Sequence, residues 1–185
     1  MVLGVTFALR PGGAPTLRYR ELAEALSGHT GPPPSLADAR GAVLALRRQK
    51  SMVIVAGDPN RRSVGSFFTN PIVSEQEAEA VGARAVALGA VTAPGDIPRW
   101  PAPGGGVKLS AGWLIERAGI DKGLQRGAVG VSTAHALALV HHGGGSTAAL
   151  LELARDVRDA VRTRFAISLT PEPTLIGMAW SGPQT

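Results

Sequence analysis

The chain holds 185 residues, 44% of them hydrophobic, with a formal net charge of +5. That length supplies one ordinary domain or slightly more, enough to bury a core. Its apolar stretches are broken by Gly, Arg or Pro well short of the roughly 18 residues a membrane span requires, and zero Cys excludes disulfides, cysteine-zinc sites and thiol catalysis.

The absence of Cys fits a cytoplasmic protein, and no basic leader precedes the first apolar run, so a signal peptide is not expected. The charge is unevenly placed. Residues 1–62 carry nine Arg and Lys against four acids, whereas the remainder balances, which points to an anionic partner near the first third.

In chain order, Val2 to Leu9 alternates as a strand and stops at the Arg10-Pro11-Gly12-Gly13 turn. A first strand with nothing before it must pair with something made later or with a sheet not present. Tyr19 to Ser27 predicts a short helix, and Gly28 to Pro34 a link. Ser35 with Asp38 opens a second helix that ends on Arg47, Arg48 and Lys50, where a helix C-terminus favours cations. Met52 to Val55 reads as a short β-branched run and Gly57 to Gly65 as a polar loop. Ser74 with Glu77 predicts a capping box, and Pro94 to Gly106 a mobile surface loop.

Ser110 starts a short helix ending at Gly119, and Ala136 to His142 reads as a buried strand. Ser146 or Thr147 caps the strongest helix, with Leu150, Ala154, Val157, Val161 and Phe165 on its apolar face. Ala166 to Leu169 and Thr174 to Trp180 are the final predicted strands. Strands and helices do not alternate regularly, so the expected class is α+β, a small mixed or antiparallel sheet packed by helices.

Several groups are candidates for chemistry. His141 and His142 are adjacent on a predicted strand and face opposite ways, which argues against a shared metal ion; no metal site is expected. His135 stands just before that strand, as a pocket-edge residue or a structural one. Arg47, Arg48, Lys50, Arg61 and Arg62 read as a solvated helix end or as cations for a diphosphate, with Tyr19 and Asn70 as neutral donors. Nucleic-acid binding would want aromatics interleaved with this basic set, and the sole Tyr is distant. Ser66 stands beside Phe67 and Phe68, so one Phe lines a pocket or the backbone kinks there. Glu172, between Pro171 and Pro173, is rigidly aimed, for catalysis or for a sheet edge.

These blocks together resemble the C-terminal portion of the UDP-N-acetylenolpyruvoylglucosamine reductase family, flavoenzymes of peptidoglycan precursor synthesis. The likeness runs through Val2–Leu9, Leu17–Leu22, Arg47–Lys50, Gly65–Pro71 (GSFFTNP), Lys108–Gly119 (KLSAGWLIERAG), His135–Val140 and Pro171–Gly177 (PEPTLIG). The resemblance implies that Ser66 donates a proton to the enol formed when hydride reaches the enolpyruvyl double bond, and that Glu172 stabilises that enol or the carboxylate. It implies substrate-binding roles for Tyr19, Lys50 and Asn70, and a less defined one for His135, where some members carry Gln. Thr170 replaces a residue that is often acidic.

By the same resemblance, the cofactors are FAD and NADPH and the substrate is UDP-N-acetylglucosamine enolpyruvate. The family's FAD-binding domain would precede Val2, so residues 1–12 are expected to be its remnant last strand. Residues 13–50 are then connecting helices, 51–170 the substrate-binding domain and 171–185 a C-terminal return strand. The chain is expected to need that FAD domain as a partner, to be inactive alone, and to require neither nucleic acid nor membrane. A non-catalytic nucleotide-sugar binding module is the alternative.

Overall fold

A computed structural model describes residues 3–28 and 32–180. The chain divides into two compact units, Met1–Val53 and Ile54–Thr185.

In the first unit, residues 3–18 have no regular secondary structure. The expected strand at Val2 to Leu9 does not form among the described residues, and its Val2 lies outside them. The alternation is there, with Leu3, Val5, Phe7 and Leu9 each largely exposed, but a strand is defined by a hydrogen-bonded neighbour and this segment has none. Helix α1 (Arg20–Leu26) follows with Tyr19 as its N-cap residue. The predicted link at Gly28 to Pro34 falls partly on residues 29–31, outside those described. Helix α2 (Leu36–Gln49) opens with the predicted box: Ser35 Oγ accepts the Asp38 N–H while the Asp38 carboxylate accepts the Ser35 N–H. α1 packs on α2.

The β-branched run at Met52 to Val55 forms no strand, and Ile54, where the second unit begins, is almost fully exposed. Strand β1 (Ser63–Ser66) is followed by β2 (Ile72–Val73) and by helix α3 (Glu75–Ala87), capped by Ser74 and Glu77 as predicted. Pro94 to Gly106 is not a loop throughout. It holds a 3₁₀ turn at Pro94–Asp96 and strand β3 (Arg99–Pro101), which forms a hairpin with β4 (Val107–Leu109). The Pro/Gly composition that suggested a loop marks the turn of this hairpin. Gly82 lets the 3₁₀ turn lie against α3, for a Cβ there would come within 2.4 Å of the Pro94 carbonyl oxygen.

Helix α4 (Ala111–Arg117), capped by Ser110, leads to β5 (Gln125–Arg126), β6 (Val129–Val131) and β7 (Ala138–His141). Helix α5 (Thr147–Phe165) is capped by Ser146. The strands form two antiparallel sheets, ordered β1-β7-β6-β5 and β2-β4-β3. The class is therefore α+β. α5 packs on α3, α4, β6 and β7, burying Ala154, Val157, Val161 and Phe165 as its periodicity predicts. The strands expected at Ala166 to Leu169 and Thr174 to Trp180 are absent. One isolated antiparallel bridge, Phe68 to Pro171, is what that segment forms, because its prolines lack the N–H a longer ladder would use.

β1 is irregular. Ser63 is opposite Val140 but Ser66 is opposite Ala138, so three steps on β1 match two on β7. The extra residue is taken up where Gly65 adopts a φ of +82°, a left-handed conformation that suits glycine.

Candidate functional site

β1 ends at Ser66, whose residue is half-buried, and the chain then enters the core. Phe67 and Phe68 are both buried, at 2% and 1% exposure, in an edge-to-face pair with ring centroids 5.1 Å apart. Of the two outcomes expected for adjacent phenylalanines, the kinked backbone is the one found, and neither ring is left at the surface.

The Phe67 peptide groups gather the surrounding segments. Its N–H donates to the Leu137 carbonyl at 2.8 Å and its carbonyl accepts the Glu172 N–H at 2.9 Å. Leu137 in turn donates its N–H to Nδ1 of His135 at 3.1 Å, so the neutral imidazole carries its proton on Nε2. Ser66, His135 and Glu172, far apart in sequence, are thus joined through one residue. The Thr69 N–H adds a bond to the Thr170 carbonyl at 3.0 Å. With the bridge at Pro171, the backbone of Glu172 is pinned on both sides, and its side chain is exposed.

Asn70 continues the same segment. Its Oδ1 accepts the Ala111 N–H at 2.9 Å, in the first turn of α4, which leaves the Nδ2 hydrogens as its outward donors. A cleft of about 560 Å³ beside it is walled by Thr69, Glu77, Ser168 and Thr170. Glu77 is held below the ordinary carboxylate range by the Ser74 N–H and then the Ser74 hydroxyl, so it stays ionised and opposes an anion there.

The remaining two predicted residues lie on the first unit. Lys50 caps the C-terminus of α2 and its Nζ is 2.5 Å from Oε2 of Glu21, in the first turn of α1. That ion pair brings Lys50 toward the α1 N-cap, Tyr19, whose ring is exposed. The basic set is split: Arg47, Arg48 and Lys50 are on the first unit, Arg61 and Arg62 on the second.

Residues 58–176 match the family model described as UDP-N-acetylenolpyruvoylglucosamine reductase, C-terminal domain. The chain belongs to this family. Relatives named UDP-N-acetylenolpyruvoylglucosamine reductase include one from Saccharopolyspora erythraea, 49% identical over 97% of this chain and 49% of its own length. Another, from Thermobifida fusca, is 51% identical over 88% of this chain and 45% of its own. One from Mycobacterium tuberculosis is 46% identical over 96% and 48%. The chain therefore spans about half the length of the curated relatives it matches.

Two glycine runs among the described residues are engaged by neighbouring groups. The Gly104–Gly106 run closes the β3–β4 hairpin, where the Gly105 N–H donates to the Ala102 carbonyl and the Gly106 carbonyl accepts the Ala102 N–H. Gly143 and Gly145, just before α5, aim their N–H groups at the two ring nitrogens of His141, 3.1 Å away in each case. Neither run presents an open row of amides to a phosphate. No helix among the described residues is long and apolar enough to cross a membrane.

Two features went unread in the sequence. Asn60, 5% exposed, donates Nδ2 to Oγ1 of Thr133 and accepts the Thr133 N–H, tying the approach to β1 to the loop that carries His135. The Asp58-Pro59-Asn60 turn, in which Asp58 accepts the Asn60 N–H, was the local signal available. The second is Arg158, predicted for no role. It is buried, with Nε 3.0 Å from Asp159 and its guanidinium 5.2 Å from the Trp180 ring centroid.

Proposed function

We propose that this chain is the substrate-binding and proton-donating part of an oxidoreductase that converts UDP-N-acetylglucosamine enolpyruvate to UDP-N-acetylmuramate for peptidoglycan synthesis in the cytoplasm. The observation that carries the reading is the convergence of Ser66, His135 and Glu172 on the Phe67 peptide, within a chain of this family. Reduction of the enolpyruvyl double bond places a hydride on one carbon and a proton on its neighbour. FAD and NADPH supply the hydride, and their binding belongs to the half of the relatives' length that lies outside this chain.

Ser66 supplies the proton. A serine hydroxyl is a weak acid in water, so it donates only to a strongly basic enol held close and dry. The Phe67 and Phe68 rings behind it exclude water from one side. Glu172, on a backbone fixed to the same peptide, stabilises the developing charge distribution. On the first unit, the Lys50 ammonium has three donors with Glu21 on one face of it and is assigned to a substrate phosphate; on the second, Asn70 offers Nδ2 as a neutral donor to the nucleotide. Tyr19 covers the bound nucleotide and His135 donates from Nε2 at the pocket edge.

Titration calorimetry with UDP-N-acetylglucosamine derivatives tests binding on the chain itself. Lys50→Ala is expected to cost about 1.5–3 kcal/mol, the worth of a charge-assisted bond; equal affinity overturns the assignment. When the flavin half is supplied, Ser66→Ala is expected to leave this affinity intact and slow turnover at least about a hundredfold. An unchanged rate removes Ser66 from the chemistry, and binding without any turnover when the flavin half is supplied favours a non-catalytic nucleotide-sugar binder. The chain alone is expected to purify without flavin and to show no NADPH-dependent reaction.

A further inference from the structure

Beyond Pro173, the chain runs to residue 180 with no backbone ladder, yet it finishes on the core. Trp180 is half-buried and lies against both phenylalanines that follow Ser66, with ring centroids 6.3 Å from Phe67 and 6.4 Å from Phe68. Its other side faces the Arg158 guanidinium at 5.2 Å. The Arg158 side chain is only 9% exposed, and its Nη1 is buried without a hydrogen-bond partner, so the Trp180 π face is the electron-rich surface offered to that cation alongside Asp159 at Nε. A tryptophan at the end of an otherwise exposed segment is thus held by a buried charge on α5.

The segment that Trp180 terminates is the one that carries Glu172. At its start, the Glu172 N–H is bonded to the Phe67 carbonyl; at its end, Trp180 stacks on the Phe67 ring. Both fixings bear on the residue next to Ser66. Between them, Ile176 and Met178 are exposed and make no hydrogen bond among the described residues. Without the second fixing, the return segment hangs on the prolines, two backbone bonds and the partly buried Leu175.

We propose that Trp180 and Arg158 are positioning residues: a cation–π latch that clamps the C-terminal segment onto the phenylalanine pair and thereby fixes the Glu172 backbone beside Ser66. The relevance to catalysis rests on the role of Glu172 proposed above, but the latch is tested without ligand or turnover. Amide hydrogen exchange on the full chain, resolved by NMR, reads it directly. Trp180→Ala is expected to speed exchange of the Glu172 N–H at least about tenfold, as befits loss of a desolvated cation–π contact and two aromatic ones, while Leu153 and Val157 of α5 keep their rates. Trp180→Phe restores most of the protection. Arg158→Lys, which keeps the charge but not the planar guanidinium, gives an intermediate rate and decides the matter should Trp180→Ala fail to fold.

An unchanged Glu172 rate in Trp180→Ala overturns the latch. Acceleration of α5 by the same factor also overturns it, since Trp180 would then be only part of the core. A wild-type rate in Arg158→Met, which keeps the length of the stem but not the charge, removes the cation from the device. If the chain bound no nucleotide sugar, the function proposed above would fall and these exchange rates would stand.

Discussion

The two units of the chain are held by different forces. Among the described residues, the first buries only Leu22 and Ala39, and relies on caps and on exposed ion pairs such as Lys50–Glu21 and Arg20–Glu24. Such pairs contribute about 0–1 kcal/mol each. The second unit buries a continuous cluster from Phe67 through Leu169, to which each fully enclosed large side chain contributes about 1.5–3 kcal/mol. The proposed division of labour follows the same line in part. Tyr19 and Lys50, assigned to the nucleotide, sit on the soft unit; Ser66 and Glu172, assigned to move and stabilise a proton, sit on the hard one together with the binding residues Asn70 and His135. Gripping tolerates motion and gains from it, whereas proton transfer needs fixed geometry.

The widest test of that contrast is hydrogen exchange across the whole chain. The central amides of α5 are expected to open only with the second unit, and those of α1 by local fraying, a gap on the order of 5 kcal/mol. Comparable protection in the two helices would end the comparison. Next in size, Phe67→Ala should destabilise the second unit by about 3–5 kcal/mol in urea unfolding followed by tryptophan fluorescence. A loss below 1 kcal/mol would mean that the phenylalanine pair is not the keystone described here.

Smaller effects sharpen the picture. Ser74→Ala removes the cap of α3 at about 1 kcal/mol. Because Ser74 holds the Glu77 carboxyl below its ordinary value, the stabilisation is present above that ordinary value and fades as pH falls through the depressed one. The wild type and Ser74→Ala should therefore differ most at neutral pH, and the gap should narrow in acid as Glu77 protonates, leaving the part owed to the Ser74 hydroxyl accepting the Glu77 N–H; a gap that does not narrow would contradict the linkage. The smallest changes are gains. Ala166 after α5 has φ +56°, and Ser51 after α2 has φ +52°. Around Ser51, the Met52 N–H reaches the Arg47 carbonyl and the Ser51 N–H the Arg48 carbonyl, a helix stop that favours glycine. Ala166→Gly and Ser51→Gly are each expected to stabilise by about 0.5–1 kcal/mol, the first in global unfolding and the second only in the exchange of α2.

The helices were legible because their signals are local. Ser35 with Asp38, Ser74 with Glu77, Ser110 and Ser146 each act within one turn, and each cap is found where its spacing placed it. Strands were read less well, since an alternating run such as Leu3 to Leu9 states a preference, not a partner. Conversely, β3 was hidden by the prolines around it. At the candidate site, Ser66, Asn70, His135 and Glu172 stand in compact motifs and were visible. Asn60 was not, because its partner Thr133 lies 73 residues away, and neither was Arg158, a charge that helical spacing places beside Ala154, Val161 and Phe165 on the buried face, where its residue type argues against it.

The surplus residue in β1 has a consequence of phase. In a regular strand, side chains alternate strictly, and a slip of one position exchanges the two faces. Were β1 to continue the pairing set by Ser63 and Val140, position 65 would stand opposite Ala138, and everything beyond it would be inverted relative to β7. The extra step at Gly65 resets the count just before it matters, so that the hydroxyl of Ser66 and the ring of Phe67 do not trade places. A bulge straightened with every residue kept would turn the Ser66 hydroxyl to the other face of the strand and bring the Phe67 ring round in its place.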